Sequence, residues 1–190
     1  PTIGTNKHAT FQLQNGVELY GGFTGGETNL MERNSKINVT ILSGDLYGDD
    51  IGFLNNLENV YHVVTATNDC SIDGFVISGG HAEAPEVSGG AISIKGCTNV
   101  TVANCVFTFN QANYGGAIYI EGCSPVLRDC VFTANRAFGT PTSMGGAMDS
   151  WQANQIITNC VFSGNYAVDN GGAMTMSDCS PLIANSVYVG

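Results

Sequence analysis

Short runs of alternating apolar and polar residues recur along the chain, and Gly, Asn and Asp separate them. Residues 91–94 (Ala-Ile-Ser-Ile) and 100–102 (Val-Thr-Val) are two examples. Alternation with a period of two is typical of half-buried β-strands, and no apolar run follows helical spacing. The pattern therefore predicts an all-β chain made of short strands and turns.

Two motifs repeat within this pattern. Gly-Gly-Ala begins at positions 89, 115, 145 and 171, which are 26, 30 and 26 residues apart, and a Phe-x-x-Asn motif lies between its copies. Units of this length bury their apolar faces only by stacking on their neighbours. A unit that holds about three short strands predicts one coil of a parallel β-helix, in which equivalent residues lie roughly 4.8 Å apart on neighbouring coils.

The repeated residues have structural roles in such a stack. Paired glycines mark a corner that needs positive φ or close backbone approach. The asparagines are expected to stack as a hydrogen-bonded ladder. The glycines are Gly89, Gly90, Gly115, Gly116, Gly145, Gly146, Gly171 and Gly172, and the asparagines are Asn110, Asn135 and Asn165.

The pairing of GGA(I/M) with FxxN resembles the repeats of chlamydial polymorphic outer-membrane proteins. It is also similar to repeats of many large bacterial extracellular proteins with right-handed, pectate-lyase-like β-helices. The resemblance is strong over residues 89–190 and looser before them, at residues 20–23 and 40–45. It implies a single-stranded right-handed parallel β-helix. Such repeats occur in adhesins and in secreted enzymes, so the resemblance does not decide an activity.

The repeats favour one domain over residues 1–190. Residues 1–88 form irregular leading rungs with long loops, and residues 89–190 form regular rungs. We expect seven or eight rungs and a rod on the order of 35 Å long. Pro1 is not an initiator methionine, so we expect the chain to be an excerpt of a larger protein.

The charge of the chain excludes some partners. Sixteen acidic residues against six basic ones give a net charge of −10. This charge repels nucleic-acid phosphates and anionic lipid headgroups. No apolar run approaches the roughly 18 residues of a membrane span, so no membrane insertion by this segment is expected.

The cysteines follow the repeat. Cys105, Cys130 and Cys160 share one repeat position, and Cys97, Cys123 and Cys179 share another, with Cys70 before them. No CxxC or His-bearing ligand set accompanies them, which argues against zinc. The favoured interpretation is a ladder of small buried thiols. The alternative is disulfides between coils, with Cys97 and Cys123 as the first pair to test.

Two surfaces are candidates for ligand binding. Segments of unequal length, residues 79–88, 111–114, 136–144 and 166–170, precede the Gly-Gly-Ala motifs. Their extra residues must project from one edge as loops, and these loops carry His81, Glu83, Arg136 and Phe138 among others. Strand alternation points Tyr119 and Trp151 outward beside the carboxylates of Glu121 and Asp149. Together with Tyr114 and Phe138 from the loops, these aromatic residues are the candidate glycan-binding residues. The alternative is that the loops are solvated corners and the aromatic residues are singly exposed.

Catalysis is not favoured by the sequence. Glu121 and Asp149 on successive rungs could reach the separation of a glycosidase carboxylate pair. However, the Asn-Thr-Asp, Asp-Asp and Gly-His-Gly signatures of pectin-hydrolysing β-helices are missing, as is a lyase-like acidic cluster beside an outward Arg or Lys within one rung. A carbohydrate-binding module, polysaccharide lyase or glycoside hydrolase is therefore the alternative to the leading interpretation. That interpretation is an extracellular or cell-surface structural or adhesive β-helix that binds a glycan or cell surface, or self-associates as a filament subunit.

The densest acidic group in the sequence is Asp45, Asp49 and Asp50. Carboxylates on a glycine-containing loop can bind calcium, which needs six to eight oxygen ligands. The spacing does not fit the twelve-residue calcium loop. We therefore expect a solvated turn and no cofactor, with calcium as the open alternative.

Overall fold

The chain winds as a parallel β-helix. The computed structural model describes residues 5–190, and Pro1 lies outside them. These residues form 22 strands and one 3₁₀ turn, Leu30–Glu32. The strands make three sheets of six strands and one of four, and every pairing between these strands is parallel. The all-β solenoid predicted from the alternation and the repeats is confirmed.

Each sheet contains one strand from successive coils. Sheet 1 contains β1 (Phe11–Gln12), β4 (Val64–Thr65), β8 (Ile92–Lys95), β12 (Ile118–Glu121), β16 (Met148–Trp151) and β20 (Met174–Ser177). Sheet 2 contains β2 (Glu18–Tyr20), β5 (Ser71–Asp73), β9 (Thr101–Ala103), β13 (Val126–Arg128), β17 (Ile156–Thr158) and β21 (Leu182–Ala184). Sheet 3 contains β3 (Thr40–Ser43), β6 (Phe75–Ser78), β10 (Val106–Thr108), β14 (Val131–Thr133), β18 (Val161–Ser163) and β22 (Val187–Val189). Sheet 4 contains β7 (His81–Ala82), β11 (Gln111–Ala112), β15 (Arg136–Ala137) and β19 (Tyr166–Ala167).

The stack has six rungs over the described residues, fewer than the seven or eight predicted from the sequence. The difference arises in the leading part, where β1, β2 and β3 lie in three different sheets of a single rung. Long loops separate these strands, so strand segments far apart in the sequence resemble separate rungs. The rod is correspondingly shorter by one or two strand spacings.

The paired glycines form a column at the corner before sheet 1. The preceding residues pair in register from coil to coil, Ser88 with Tyr114, Tyr114 with Met144 and Met144 with Asn170. The first glycine of each pair has φ between 62° and 72°. A Cβ on the second glycine of the middle pairs would lie under 3.0 Å from carbonyl oxygens of a neighbouring coil. The motif thus combines a left-handed turn with close coil-to-coil contact.

The core lies between the sheets and consists of columns of identical or similar side chains. Phe107, Phe132, Phe162 and Tyr188 stack with centroid distances of 4.6 to 5.0 Å. In sheet 1, the inward residues of β8 and β12, together with Met148 of β16, are fully buried. Met174 of β20 is half-buried, since β20 is the edge strand of sheet 1 within residues 5–190.

The asparagines of the repeat form a buried hydrogen-bonded ladder. Asn110 Nδ2 donates to Asn135 Oδ1 at 3.0 Å, and Asn135 Nδ2 donates to Asn165 Oδ1 at 3.0 Å. Each amide also donates to a backbone carbonyl of the coil before it. The ladder therefore satisfies polar groups at the corner between sheets 3 and 4.

The cysteines are free thiols at buried or half-buried positions. Most of them donate to the carbonyl oxygen two residues earlier, as Cys105 Sγ does to Ala103 O at 3.1 Å. The disulfide considered between Cys97 and Cys123 is not formed, since each Sγ hydrogen-bonds to a carbonyl instead. The thiols thus occupy the corners as small packing residues.

Two long loops of the leading part fold back onto the stack. The first contains Arg33, which donates to Asp73 at 2.7 Å on the outer face of sheet 2. The second runs from Asp45 to Asn59, between β3 and β4, and crosses the outer face of sheet 4. This second loop forms one wall of the candidate site.

Candidate functional site

A column of polar side chains covers the outer face of sheet 4. Each of its strands has two residues, and the second is an alanine that points inward. The first residues are outward and in register across the four coils: His81, Gln111, Arg136 and Tyr166. Because alternation in a strand sends neighbouring side chains to opposite faces, the alanines, of which Ala82, Ala112 and Ala137 are buried, place this polar column outside.

Three members of this column, His81, Gln111 and Arg136, form the floor of a groove with a volume of about 600 Å³. Residues of the Asp45–Asn59 loop form one wall, and the variable loops before the glycine corners form the other. The loop wall contributes Phe53, Leu54, Asn55, Asn56 and Leu57, and the opposite wall contributes Glu83, Ala84, Val87, Asn113, Phe138, Gly139 and Thr140.

A chain of hydrogen bonds runs along the floor of the groove. Arg136 Nε donates to Gln111 Oε1 at 2.6 Å, and Gln111 Nε2 lies 2.9 Å from His81 Nε2. His81 Nδ1 lies 2.7 Å from the carbonyl oxygen of Asn56. Since that carbonyl only accepts, the bonds define a neutral imidazole that donates from Nδ1 and accepts at Nε2. Burial lowers the pKa of His81, which favours the same neutral form.

Arg136 is a cation between aromatic rings. Its guanidinium carbon lies 3.9 Å from the centroid of Phe53 and 5.3 Å from that of Phe138. No carboxylate among residues 5–190 forms an ion pair with it. Burial lowers the pKa of Arg136, but the side chain stays charged at neutral pH. The groove thus holds one cation without a counter-charge.

The carboxylate that lines the groove already has a cationic partner. Glu83 is the only carboxylate among the described lining residues, and it pairs with Lys7 at 2.5 Å. Lys7 also donates to the carbonyl oxygen of Leu57 at 2.6 Å, which ties the loop wall to the stack. The pair therefore leaves the charge of Arg136 uncompensated.

The aromatic residues predicted from the sequence to bind a ligand lie in two places. Tyr114, Tyr119 and Trp151 line a shallow cleft of about 160 Å³ on sheet 1. Phe138 lies in the groove on sheet 4 instead. Trp151 is 41% exposed, and Lys95 Nζ lies 5.2 Å from the ring centroid of Tyr119. The cleft is about a quarter of the volume of the groove.

The candidate catalytic carboxylates, Glu121 and Asp149, are on adjacent strands but differ in surroundings. Asp149 pairs in register with Tyr119, and Glu121 pairs with Trp151. Asp149 is 5% exposed and accepts a hydrogen bond from Thr175 Oγ1 at 2.5 Å, and burial raises its pKa. Burial also raises the pKa of Tyr119 to about 12. Glu121 does not line the cleft, so the catalytic pairing stays a prediction without a shared opening to support it.

The acidic residues predicted as an alternative calcium site lie together. Carboxylate oxygens of Asp45, Asp49, Asp50 and Glu58 are all within 4.8 Å of one another. Sequence reasoning missed Glu58, which lies eight residues after Asp50 in the sequence. The path of the loop brings it back to the cluster. Burial raises the pKa of Asp50 to about 6, and the neighbouring carboxylates add to the rise.

Sequence reasoning identified part of the groove. The loop-edge residues His81, Glu83, Arg136 and Phe138 follow from the unequal repeat spacing. Gln111 begins one of the predicted segments but was not singled out, and Phe53 was missed. The outward register of sheet 4 is the signal that could have found Gln111. No repeat spacing places Phe53 beside Arg136, because its loop belongs to an earlier coil.

Comparisons with known proteins agree with this architecture. A family model described as a right-handed beta helix region matches residues 62–189. No curated protein and no solved structure shows significant similarity to the chain. Within the described residues, no helix is both long and apolar enough to cross a membrane.

Proposed function

Because the chain belongs to the family of right-handed β-helix regions, we propose that it is an extracellular or cell-surface binding scaffold that recognises an acidic carbohydrate. The groove on sheet 4 is the proposed site. A single observation carries the proposal: Arg136 lies in this groove of about 600 Å³ without a carboxylate partner among residues 5–190, and Phe53 and Phe138 flank it.

The chemistry of the groove suits a sugar that bears a carboxylate. A guanidinium presents a planar fork of donors that matches a carboxylate. The hydrogen bond from Nε to Gln111 and the contact with Phe53 hold the guanidinium in place before a ligand arrives. Preorganisation of this kind reduces the entropy lost on binding.

The neighbouring groups fit the rest of a sugar ring. Phe138 is 52% exposed, and the negative face of its ring suits the C–H face of a pyranose. Asn113 and Asn56 line the same groove and offer amide groups for hydroxyls. A mostly apolar wall with a few polar groups is the usual form of a small-ligand site.

The arrangement supports binding rather than glycoside hydrolysis. Hydrolysis uses two carboxyl groups across the scissile bond. Among the described residues that line the groove, Glu83 is the only acid, and Lys7 neutralises it. We therefore propose that the adhesive role predicted from the sequence is carried out by binding an acidic carbohydrate, without cleaving it.

Calorimetric titration with uronic-acid oligosaccharides and with neutral oligosaccharides of equal length tests the proposal. We expect the uronate to bind and Arg136→Gln to weaken its binding by about tenfold to a hundredfold, since a hydrogen bond to a charged group contributes about 1.5–3 kcal/mol. Arg136→Lys keeps the charge without the fork and should be intermediate. Arg128→Gln is the matched control, because Arg128 lies on sheet 2 beside Asp73 and Asp129.

Fluorescence of Trp151, the only tryptophan, separates the two candidate surfaces. Binding in the groove should leave this fluorescence unchanged. Quenching that Arg136→Gln does not abolish would move the site to the cleft on sheet 1 and contradict the proposal, as would release of unsaturated or shortened sugars. Sedimentation of the same samples tests the self-association that the sequence analysis predicts.

A further inference from the structure

The Asp45–Asn59 loop brings four carboxylates together where it leaves and rejoins the stack. Asp45 follows β3, Asp49 and Asp50 lie in the next turn, and Glu58 lies just before the loop ends. Their oxygens lie within 4.8 Å of one another. Like charges at this distance repel each other even in water, and more strongly where they are partly buried.

Buried oxygens around this cluster lack hydrogen-bond partners. The Asn59 side chain is fully buried and is aimed at the cluster, since its Nδ2 donates to Asp50 Oδ2 at 2.6 Å. Its Oδ1 has no partner within residues 5–190, and the same holds for Asp50 Oδ1 and Glu58 Oε1. A buried acceptor without a partner costs about 1–3 kcal/mol, so three in one place call for a group that binds oxygen lone pairs.

One carboxylate is already fixed by the backbone. Asp45 Oδ1 accepts from the amides of Tyr47 and Gly48 at 3.1 and 2.6 Å, and Oδ2 accepts from the amide of Asp50 at 3.1 Å. The loop is thus folded around Asp45 with the other carboxylates directed toward it. This geometry holds several anionic oxygens in one place before any ion binds.

We propose that this cluster is a calcium site that fastens the loop to the stack. Its candidate ligands are carboxylate oxygens of Asp45, Asp49, Asp50 and Glu58 and the amide oxygen of Asn59. All are oxygen atoms, which Ca²⁺ and Mg²⁺ prefer over the nitrogen and sulfur ligands of zinc. Four carboxylates in one site fit Ca²⁺, because Mg²⁺ usually keeps several waters and binds one or two carboxylates.

The ion would join the two ends of the loop that carries Phe53 and Asn56. Asp45 lies at the start of this loop and Glu58 near its end, so one ion bridges both. The cluster itself does not include residues of the groove. The two proposals therefore rest on different residues, and calcium binding can be tested without a carbohydrate.

Titration of CaCl₂ into the chelator-treated full chain, by calorimetry and by thermal unfolding, tests the proposal. We expect one ion per chain with a Kd on the order of 10⁻⁴ to 10⁻³ M and a higher melting temperature in calcium. Asp50→Asn and Glu58→Gln should each weaken binding about tenfold or more. Asp178→Asn is the matched control, because Asp178 is exposed, lies outside the cluster, and has a left-handed φ of 55° that asparagine tolerates.

Three results would overturn the proposal. The first is no heat of binding and no change in melting temperature at millimolar calcium. The second is binding that both cluster variants retain at the affinity of Asp178→Asn. The third is an equal response to MgCl₂, which would contradict selectivity for calcium. If one of the two cluster variants does not fold, the other is used for the test, since Asp50 and Glu58 approach the cluster from different parts of the loop.

Discussion

Replacing Gly116 by alanine tests whether the glycine corners hold neighbouring coils in close contact. A Cβ at Gly116 would lie 2.3 Å from the carbonyl oxygen of Gly146 and 2.5 Å from that of Arg136. Both atoms are backbone, so no side chain can rotate away. The φ of Gly116 is not in the left-handed region, so the substitution adds a contact without adding torsional strain.

The magnitude follows from the contacts that must open. Cβ atoms in proteins essentially never lie closer than 3.0 Å to another heavy atom. To reach that distance from 2.3 Å, the Gly146 oxygen and the new Cβ must move apart by about 0.7 Å. Two inter-coil hydrogen bonds of 3.0 Å lie at this point, Gly116 N to Gly145 O and Ala117 N to Ala147 O. Each contributes about 0.5–1.5 kcal/mol, and lost packing adds to them. We therefore expect Gly116→Ala to lower the free energy of unfolding by about 3 kcal/mol.

Gly122→Ala is the matched control. Gly122 has a φ of 63° and nothing within 4 Å of its ideal Cβ, so alanine there adds torsional strain without a contact. The left-handed conformation costs an alanine roughly 1–2 kcal/mol, partly offset by the lower entropy of its unfolded chain. Urea unfolding followed by far-UV circular dichroism measures both variants. Equal losses in the two variants would refute the close-contact reasoning.

Other predictions concern the ladder, the groove and the thiols. Asn135→Ala leaves the backbone amide of Asn110 and the carbonyl of Phe107 without their partner. We therefore expect urea unfolding to show that the free energy of unfolding falls by about 2–5 kcal/mol. An unchanged free energy would mean that water replaces the ladder. Because burial lowers the pKa of His81, the unfolded chain binds the proton more readily, and stability should fall as pH falls through about 6.5. Thermal unfolding of His81→Gln should show a smaller fall than the wild type, and parallel curves would contradict this. Thiol titration of the unreduced, unfolded chain should detect all seven cysteines, whereas five would reveal a disulfide.

The sequence is sufficient to predict the repeating part of the fold. Strand alternation, glycine pairs and Phe-x-x-Asn recur at matching positions, and each is a local signal. Because a solenoid contact joins equivalent residues of adjacent units, a local pattern that repeats also determines its tertiary contacts. The stacked phenylalanines and the outward positions of Tyr119 and Trp151 follow from this register.

The leading part of the fold does not follow from the repeats. Its strands are separated by loops that carry no repeat, so the sequence does not indicate that β1, β2 and β3 belong to one rung. The sequence therefore predicts more rungs than the six that form. In the same way, spacing correctly brought Asp45, Asp49 and Asp50 together but not Glu58.

The amino-acid sequence alone determined the stack, its corners and the faces of its strands. Only the tertiary structure decided that Phe53 covers Arg136 and that Glu58 and Asn59 meet Asp50. The physical reason is that a repeated strand pairs with a copy of itself at a known distance in sequence. An inserted loop returns to the stack through contacts between unlike side chains, and these depend on the path of the whole loop.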